Sequence, residues 1–159
     1  MKKQSAFTLM ELMIGLAIAS IVLSVGVPSF TSLINNNRLT SQVNELVTTF
    51  NLARSEAIKR GRPIDISAAS GDENWKDGWT VEVNGTGTDI RVFAAQKGSH
   101  TLVADGDEPT FTYNSQGFLS TACAASCTIS LCVASGEIGR RLSIAPSGHV
   151  SVNGRFTCP

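Results

Sequence analysis

The sequence has no excess of charge that would direct it towards a charged partner. Thirteen basic residues balance 13 acidic ones among 159, so the formal net charge at pH 7 is zero. Proteins that bind nucleic acid or anionic lipid through their overall field carry a basic excess. The balance therefore predicts no general attraction to either.

The sequence also lacks the short motifs of common catalytic and nucleotide-binding sites. It contains no P-loop and no dinucleotide fingerprint, and Ser147-Gly148-His149 is not a nucleophile elbow. The acidic residues of the C-terminal part lie mainly in turn-like stretches, where solvated loops are the ordinary explanation. We therefore predict that the protein is not an enzyme and uses no cofactor.

Cysteine is absent before residue 123, and the four cysteines that follow lie at Cys123, Cys127, Cys132 and Cys158. Their spacing does not match the common zinc-finger patterns, and histidine is scarce as a further ligand. We expect disulfides rather than a metal site if this part of the chain is exported. Four cysteines permit three pairings, and the residues alone leave all three open.

One long apolar run occupies residues 7–27, in which Glu11 is the only charged residue. A helix of that length measures about 32 Å and matches a bilayer core of roughly 30 Å. Basic residues flanking a span resist translocation, so Lys2 and Lys3 should stay in the cytoplasm. The pattern predicts a single-pass membrane segment with the rest of the chain outside the cytoplasm.

Glu11 distinguishes this run from an ordinary anchor. A carboxylate near hydrocarbon costs about 2.5–3.5 kcal/mol unless it is neutralised or paired, so we expect a partner for it. A secretory signal peptide is one alternative, but its apolar core is shorter and is followed by a small-residue cleavage site that is missing here. A plain anchor with an accidental glutamate is the other alternative.

Ala6-Phe7-Thr8-Leu9-Met10-Glu11 resembles the class III prepilin leader, in which a small residue precedes Phe-Thr-Leu-x-Glu. The resemblance implies that a prepilin peptidase cuts between Ala6 and Phe7 and methylates the new amine of Phe7. In this family the glutamate is thought to meet the N-terminal amine of a neighbouring subunit, which would supply the partner of Glu11. Ala6 departs from the usual glycine, which implies slower cleavage.

Beyond the run, apolar residues recur at spacings of three or four, which indicates an amphipathic helix. They are Leu39, Val43, Leu46, Val47, Phe50, Ala53 and Ala57. Gly61 and Pro63 are stop signals, so we predict one helix over about residues 7–60, bent near Gly26 and Pro28. Two helices joined near Asn35-Asn36-Asn37 are the alternative.

Short β-rich runs separated by turn residues follow the helix and predict an antiparallel sheet. The predicted strands cover residues 64–68, 80–83, 90–94, 110–113, 128–133, 140–144 and 149–152. The fold class is therefore α+β, with a leader over 1–6, a helix over 7–61 and a β-rich head over 62–159.

Ala53-Arg54-Ser55-Glu56-Ala57 and Trp75-Lys76-Asp77-Gly78-Trp79 resemble elements of the GspH/FimT group of minor pilins and pseudopilins. The resemblance covers nearly the whole chain and implies the type IV pilin fold. We interpret the two tryptophans as core anchors, with a ligand site as the alternative. The resemblance also favours a Cys132–Cys158 disulfide, which leaves Cys123 and Cys127 to close a small loop.

Membership of this group implies a role in assembly. The chain would be a low-abundance subunit near the tip or initiation complex of a type IV pilus, anchored in the bacterial inner membrane with its head in the periplasm. Its implied partners are other minor and major pilins or pseudopilins, a prepilin peptidase and an inner-membrane assembly platform. A type II secretion pseudopilin is the alternative.

DNA capture is a second alternative, because some FimT-like pilins resemble one another in a Gly-Arg-x-Arg element. This chain has Gly148-His149-Val150-Ser151 at the corresponding place and so lacks both arginines. Arg140, Arg141 and Arg155 could form a weak phosphate-binding patch if they lay together. Their ordinary role would be as solvated charges at strand edges.

Overall fold

A computed structural model describes residues 8–98, 100–106, 108–121, 123 and 127–158, with the backbone alone at 25, 27–29 and 155. The predicted cleavage and methylation site at Ala6 and Phe7 lies outside the described residues. The chain divides into two compact units after Arg38.

Helix α1 covers Leu9–Arg60, and both of its ends have recognisable caps. At the start, the Glu11 N–H donates to Thr8 Oγ1 over 3.2 Å, which is the hydrogen bond of an N-cap. At the end, Gly61 has φ 63° and the Arg62 N–H donates to the Ala57 carbonyl over 3.3 Å. This six-to-one bond is the Schellman motif. The predicted end at Arg60 is confirmed, and one helix runs through Asn35-Asn36-Asn37.

Eight strands and a short 3₁₀ helix, Trp75–Asp77, follow α1. The first sheet has the order β3-β2-β1-β5 and the second has the order β4-β6-β7-β8, with every pairing antiparallel. The strands are β1 Ile64–Ala68, β2 Trp79–Val83, β3 Thr88–Phe93, β4 Thr101–Ala104, β5 Thr110–Tyr113, β6 Cys127–Cys132, β7 Ile138–Ile144 and β8 Val150–Thr157.

The strand predictions were correct in kind but missed β4 and the last five residues of β8. Strand β4 is only four residues long, and so short a run gives little periodic signal. The predicted strand ended at Val152, and Asn153-Gly154 beyond it has the composition of a turn. The structure instead places an irregularity of register there, opposite Arg140 and Arg141, and the strand continues to Thr157.

One buried cluster unites one face of α1 with the inner faces of both sheets. Phe50 lies at its centre, with its ring centroid 5.5 Å from that of Phe111 and 6.4 Å from those of Trp75 and Tyr113. Six of the seven residues of the predicted stripe are buried, and Val47 is partly buried against them. The buried six are Leu39, Val43, Leu46, Phe50, Ala53 and Ala57.

Candidate functional site

The first part of α1 exposes nearly all of its large apolar side chains. These include Leu9, Met10, Leu12, Met13, Ile14, Leu16, Ile18, Ile21, Val22, Leu23, Phe30, Leu33 and Ile34. A helix that is apolar on every side requires a surrounding of lipid or of other helices. Among the residues that the structure describes, no helix is both long and apolar enough to cross a membrane.

Glu11 lies in the first turn of this apolar segment. Its backbone N–H is bound by Thr8, and a carboxylate in the first turn also interacts favourably with the positive end of the helix dipole. Within the described part of the chain no basic side chain forms an ion pair with it. The chemistry of the site is therefore an acid at the start of an exposed apolar helix, with its charge available to a partner.

Arg54, from the Ala53–Ala57 element, fixes the other end of α1 to two turns of the head. Its Nε donates to the Gly117 carbonyl over 3.0 Å, and its Nη2 donates to the Ser147 carbonyl over 3.3 Å. A Cβ on Gly148 would lie 2.1 Å from the Gly117 carbonyl oxygen, so these two turns meet only because glycine occupies that position. Sequence reasoning identified this element only by its resemblance to the family and did not reveal the contact.

Tyr113 supports the same turn from inside the core. Its hydroxyl donates to the Gly148 carbonyl over 3.2 Å, and burial raises the pKa of this phenol. Arg54 and Tyr113 therefore hold the turn that ends at Gly148 from opposite elements.

Glu56 lies two residues further along α1 and pairs with the last turn. Arg60 Nε donates to Glu56 Oε2 over 2.6 Å, and Lys59 Nζ lies 3.5 Å from Oε1. The hydrogen bond from Arg60 holds the pKa of the Glu56 carboxyl below its usual range, with the Lys59 charge acting in the same direction.

Trp75 and Trp79 are both fully buried, which confirms the interpretation as core anchors. Trp75 Nε1 donates to the Glu108 carbonyl over 3.2 Å, and Trp79 Nε1 donates to Thr49 Oγ1 of α1 over 3.1 Å. Gly78 between them has φ 102°, and a Cβ there would lie 2.4 Å from the Phe93 carbonyl oxygen. The motif thus ties the first sheet to the helix.

Two disulfides are present, and they have the pairing that the family resemblance implies. Cys132, at the end of β6, joins Cys158 across a Cα separation of 5.8 Å, and Cys123 joins Cys127 across 5.3 Å. A Cβ on Gly139 would lie 2.6 Å from Cys158 Sγ, so glycine lets β7 pass beneath the larger bridge. In the described residues, no group of three or more His, Cys, Asp and Glu side chains is placed to hold a metal ion.

Arg140 and Arg141, two of the three arginines considered for a phosphate-binding patch, do not share one face. In the strand register, Arg140 lies opposite the buried Leu131 of β6 and opposite Arg155 of β8. Arg141 lies opposite the half-exposed Ser130 of β6. Cross-strand partners share a face and successive residues alternate, so Arg140 and Arg141 lie on opposite faces of the second sheet.

Arg141 also has partners within the chain. Its Nε donates to Ser130 Oγ over 3.2 Å and lies 3.8 Å from Asp105 Oδ2, and its Cζ lies 4.3 Å from the centroid of the Phe156 ring. Asp105 in turn accepts a hydrogen bond from the Thr128 hydroxyl. A guanidinium that is paired with a carboxylate and stacked on a ring is less available to a phosphate.

These residues border a groove of about 350 Å³ on the outer face of the second sheet. Its lining combines hydroxyl groups, one ion pair and apolar side chains. The groove is lined by Thr101, Val103, Asp105, Ser130, Cys132, Val133, Ala134, Ser135, Arg141 and Phe156. The acid and the base in it compensate each other, so the groove offers no net charge to a ligand.

Comparisons with known proteins match both parts of the chain. Residues 42–148 match the family described as Type II transport protein GspH, and residues 1–27 match the Prokaryotic N-terminal methylation motif. Two curated proteins of Pseudomonas aeruginosa, each described as a fimbrial protein, are 35% and 34% identical over 107 residues. The alignments cover 65% of this chain and 69% of each relative.

Among solved structures, the chain is similar to two crystal forms of the type IV minor pilin FimU of Pseudomonas aeruginosa. The first has 24% identity and a TM-score of 0.68, with 80% of this chain and 99% of FimU covered. The second has 23% identity and a TM-score of 0.63, with 76% and 99% covered. At these identities the likeness concerns the fold, and it confirms the predicted pilin architecture.

Proposed function

We propose that this chain, which belongs to the GspH family and has the type IV pilin fold, is a minor pilin at the tip or initiation complex of a type IV pilus. The observation that carries the proposal is the exposed apolar part of α1 with Glu11 in its first turn. A helix of this kind in a filament would bury its apolar surface against the helices of other subunits. The two fimbrial relatives support the choice of a pilus.

The N-terminal methylation motif supports processing of the leader. In this proposal a prepilin peptidase cleaves between Ala6 and Phe7 and methylates the amine of Phe7. The chain spans the inner membrane once before assembly, with its head in the periplasm, and an assembly platform then moves it into the filament. Removal of Lys2 and Lys3 lowers the basic count from 13 to 11, so the mature chain is slightly acidic.

Glu11 sets the register of assembly in this proposal. Its carboxylate would meet the N-terminal amine of a neighbouring subunit. In apolar surroundings a charge that has no partner is costly in free energy. Subunits should therefore pack in the position that brings the two opposite charges into contact. One acid on an otherwise uniform apolar helix would therefore select one axial position.

The first test is the mass and the N-terminus of the membrane-bound protein, made with and without a prepilin peptidase. We expect a chain that starts at N-methylated Phe7 only when the peptidase is present. An unprocessed chain in its presence, or a cut beyond residue 27, would contradict the proposal.

The second test compares Glu11→Gln with Glu137→Gln in cells that assemble pili. Both changes remove one exposed carboxylate, but Glu137 belongs to the head and lies far from the apolar segment in sequence. We expect Glu11→Gln to be processed normally and to reduce pilus number, whereas Glu137→Gln should leave it unchanged. Equal pilus numbers in the two variants would exclude a role for the Glu11 charge.

A pseudopilin of a type II secretion system is the second candidate, favoured by the description of the matched family. Deletion of the gene separates the two. Loss of surface pili with secretion intact supports the pilus, and loss of exoprotein secretion with pili intact supports the pseudopilus.

A further inference from the structure

Each of the two sheets of the head has two edge strands, which makes four in all. Two of these edges are covered by other segments of the head. The edge of β4 is closed by a bridge between Asn74 and Val103 and by a 3.0 Å bond from the Ala104 N–H to the Glu73 carbonyl. The edge of β5 is closed by residues 119–121, which bond to Tyr113 and Thr112.

The third outer strand, β3, is protected by charge. Arg91 pairs with the buried Val81, and its guanidinium carbon lies 4.8 Å from the centroid of the Phe93 ring. Asp89 lies opposite Glu82, where the register is irregular. An inward-facing charge and a bulge are two of the devices by which an edge strand avoids a further strand.

Strand β8 differs in its first half. Residues 150–153 read Val-Ser-Val-Asn and carry no charge, and the irregularity of register lies beyond them. Val152 faces the same way as the buried Leu142 but is 44% exposed.

The register shows which backbone groups point outward. The Ala145 N–H donates to the His149 carbonyl over 2.9 Å, which makes these two residues a hydrogen-bonded pair. Hydrogen-bonded and non-hydrogen-bonded pairs alternate along an antiparallel ladder. The pairs of Val150 and Val152 are therefore non-hydrogen-bonded, and both residues direct their N–H and C=O groups away from β7. Among the described residues, none bonds to these groups.

We propose that the free edge of residues 150–153 accepts an extended segment of a different subunit, which adds to the second sheet as a further strand. This inference rests on the proposed function, since it names a contact within the assembly. Unpaired backbone donors and acceptors in an uncharged strand select an extended partner. The partner carries an apolar side chain opposite Val152 and an acidic residue near Arg140, which shares its register position with Arg155.

A second copy of this strand would not supply that acid, because residues 150–157 contain no Asp or Glu. The charge complementarity therefore favours a different subunit over self-pairing.

The experiment uses the full chain in cells that assemble the filament. A photoreactive benzoyl-phenylalanine is placed at Ser151 on β8 and, as the matched control, at Thr88 on the edge of β3. After irradiation, the partner and the cross-linked peptide are identified by mass spectrometry. We expect Ser151 to capture an acidic, extended segment of another pilin-type subunit and Thr88 to capture none.

Val152→Pro and Val152→Ala then test the backbone bond in the Ser151 probe protein. Both variants lose the valine side chain, but only proline also removes the backbone N–H of residue 152. This N–H points away from β7, so its loss breaks no hydrogen bond between β7 and β8. We expect the yield of the cross-link to be about fivefold lower in Val152→Pro than in Val152→Ala, as for the loss of one hydrogen bond. Thermal unfolding of both variants shows whether the head remains folded.

Equal yields in the two folded variants, capture of a second copy of this chain, or capture of no subunit by a protein that enters the filament would each overturn the inference. Failure of processing at Phe7 or of entry into the filament would instead contradict the proposed function.

Discussion

The two parts of α1 have similar secondary structure but opposite surroundings. Before Arg38 the large apolar residues are exposed, as with Leu16 at 63%, whereas most of those after it are buried, as with Leu46 at 0%. Apolar residues surround the first part, but they form one stripe on the second part. The difference shows that the pattern of apolar residues, rather than their number, indicates whether a helix segment packs on its own domain.

Glu11 and Arg54 show the same contrast in charge. Glu11 has no ion-pair partner among the described residues, whereas Arg54 is bound by the carbonyls of Gly117 and Ser147. A charge that is bound within the head contributes to its stability, and one without an internal partner is available to another molecule.

Of the substitutions that compare the two parts of α1, Phe50→Ala is expected to have the largest effect on the free energy of unfolding. Phe50 is fully buried among three aromatic rings, so its truncation should lower the free energy of unfolding by about 3–5 kcal/mol. Ile18→Ala, in the exposed part, should change it by less than about 0.5 kcal/mol. Denaturant unfolding in detergent, followed by the fluorescence of the buried Trp75 and Trp79, measures both. Equal losses would show that the first part also packs on the head.

Both disulfides belong to the head, so their removal should destabilise the head and leave the exposed part of α1 unaffected. The Cys132–Cys158 bridge spans 26 residues, and its replacement by two serines should cost about 3.5 kcal/mol in the chain-entropy model. The Cys123–Cys127 bridge spans four residues and should cost about 2 kcal/mol in the same model. The denaturant midpoints of the two double-serine variants show which bridge contributes more to stability. The reverse order would mean that strain or residual structure outweighs loop length.

Much of the fold could be predicted from local patterns. The stripe from Leu39 to Ala57 fixed the packed face of the helix, and Gly61 fixed its end, because each depends on a spacing or a backbone angle that neighbouring residues determine. The disulfide pairing came from family resemblance, since the spacing of the cysteines alone left three possibilities.

The remainder depended on contacts between distant residues. The Arg54 bonds to Gly117 and Ser147 join residues 63 and 93 positions apart, and no local signal indicates such a contact. The separation of Arg140 from Arg141 follows from strand alternation once β7 is known to extend through both. The alternative of a phosphate-binding patch required the arginines to lie together, and that alternation separates two of them.

Arg54→Met tests whether the two turns of the head depend on α1. Methionine keeps an aliphatic side chain but loses both hydrogen bonds, so we expect a loss of about 2 kcal/mol in the free energy of unfolding. Arg62→Met, which removes a basic charge at an exposed position just beyond the helix, is the control and should change it little. Hydrogen exchange of the amides around Gly117 and Gly148 should increase only in Arg54→Met. Unchanged exchange there would mean that Tyr113 alone holds the turn.

The smallest effect concerns acid stability at the end of α1. The hydrogen bond from Arg60 places the folded pKa of Glu56 below 4.5, the ordinary value of this carboxyl in an unfolded chain. Its contribution is therefore present above that unfolded value and is lost as the pH falls through the folded pKa. Glu56→Gln should be less stable than the parent protein at neutral pH, and the two melting temperatures should converge in acid. Glu137→Gln removes an exposed carboxylate of the head and should follow the parent throughout. If the parent and Glu56→Gln kept a constant difference down to a pH of about 2, the effect of the substitution would come from packing rather than from the ionised pair.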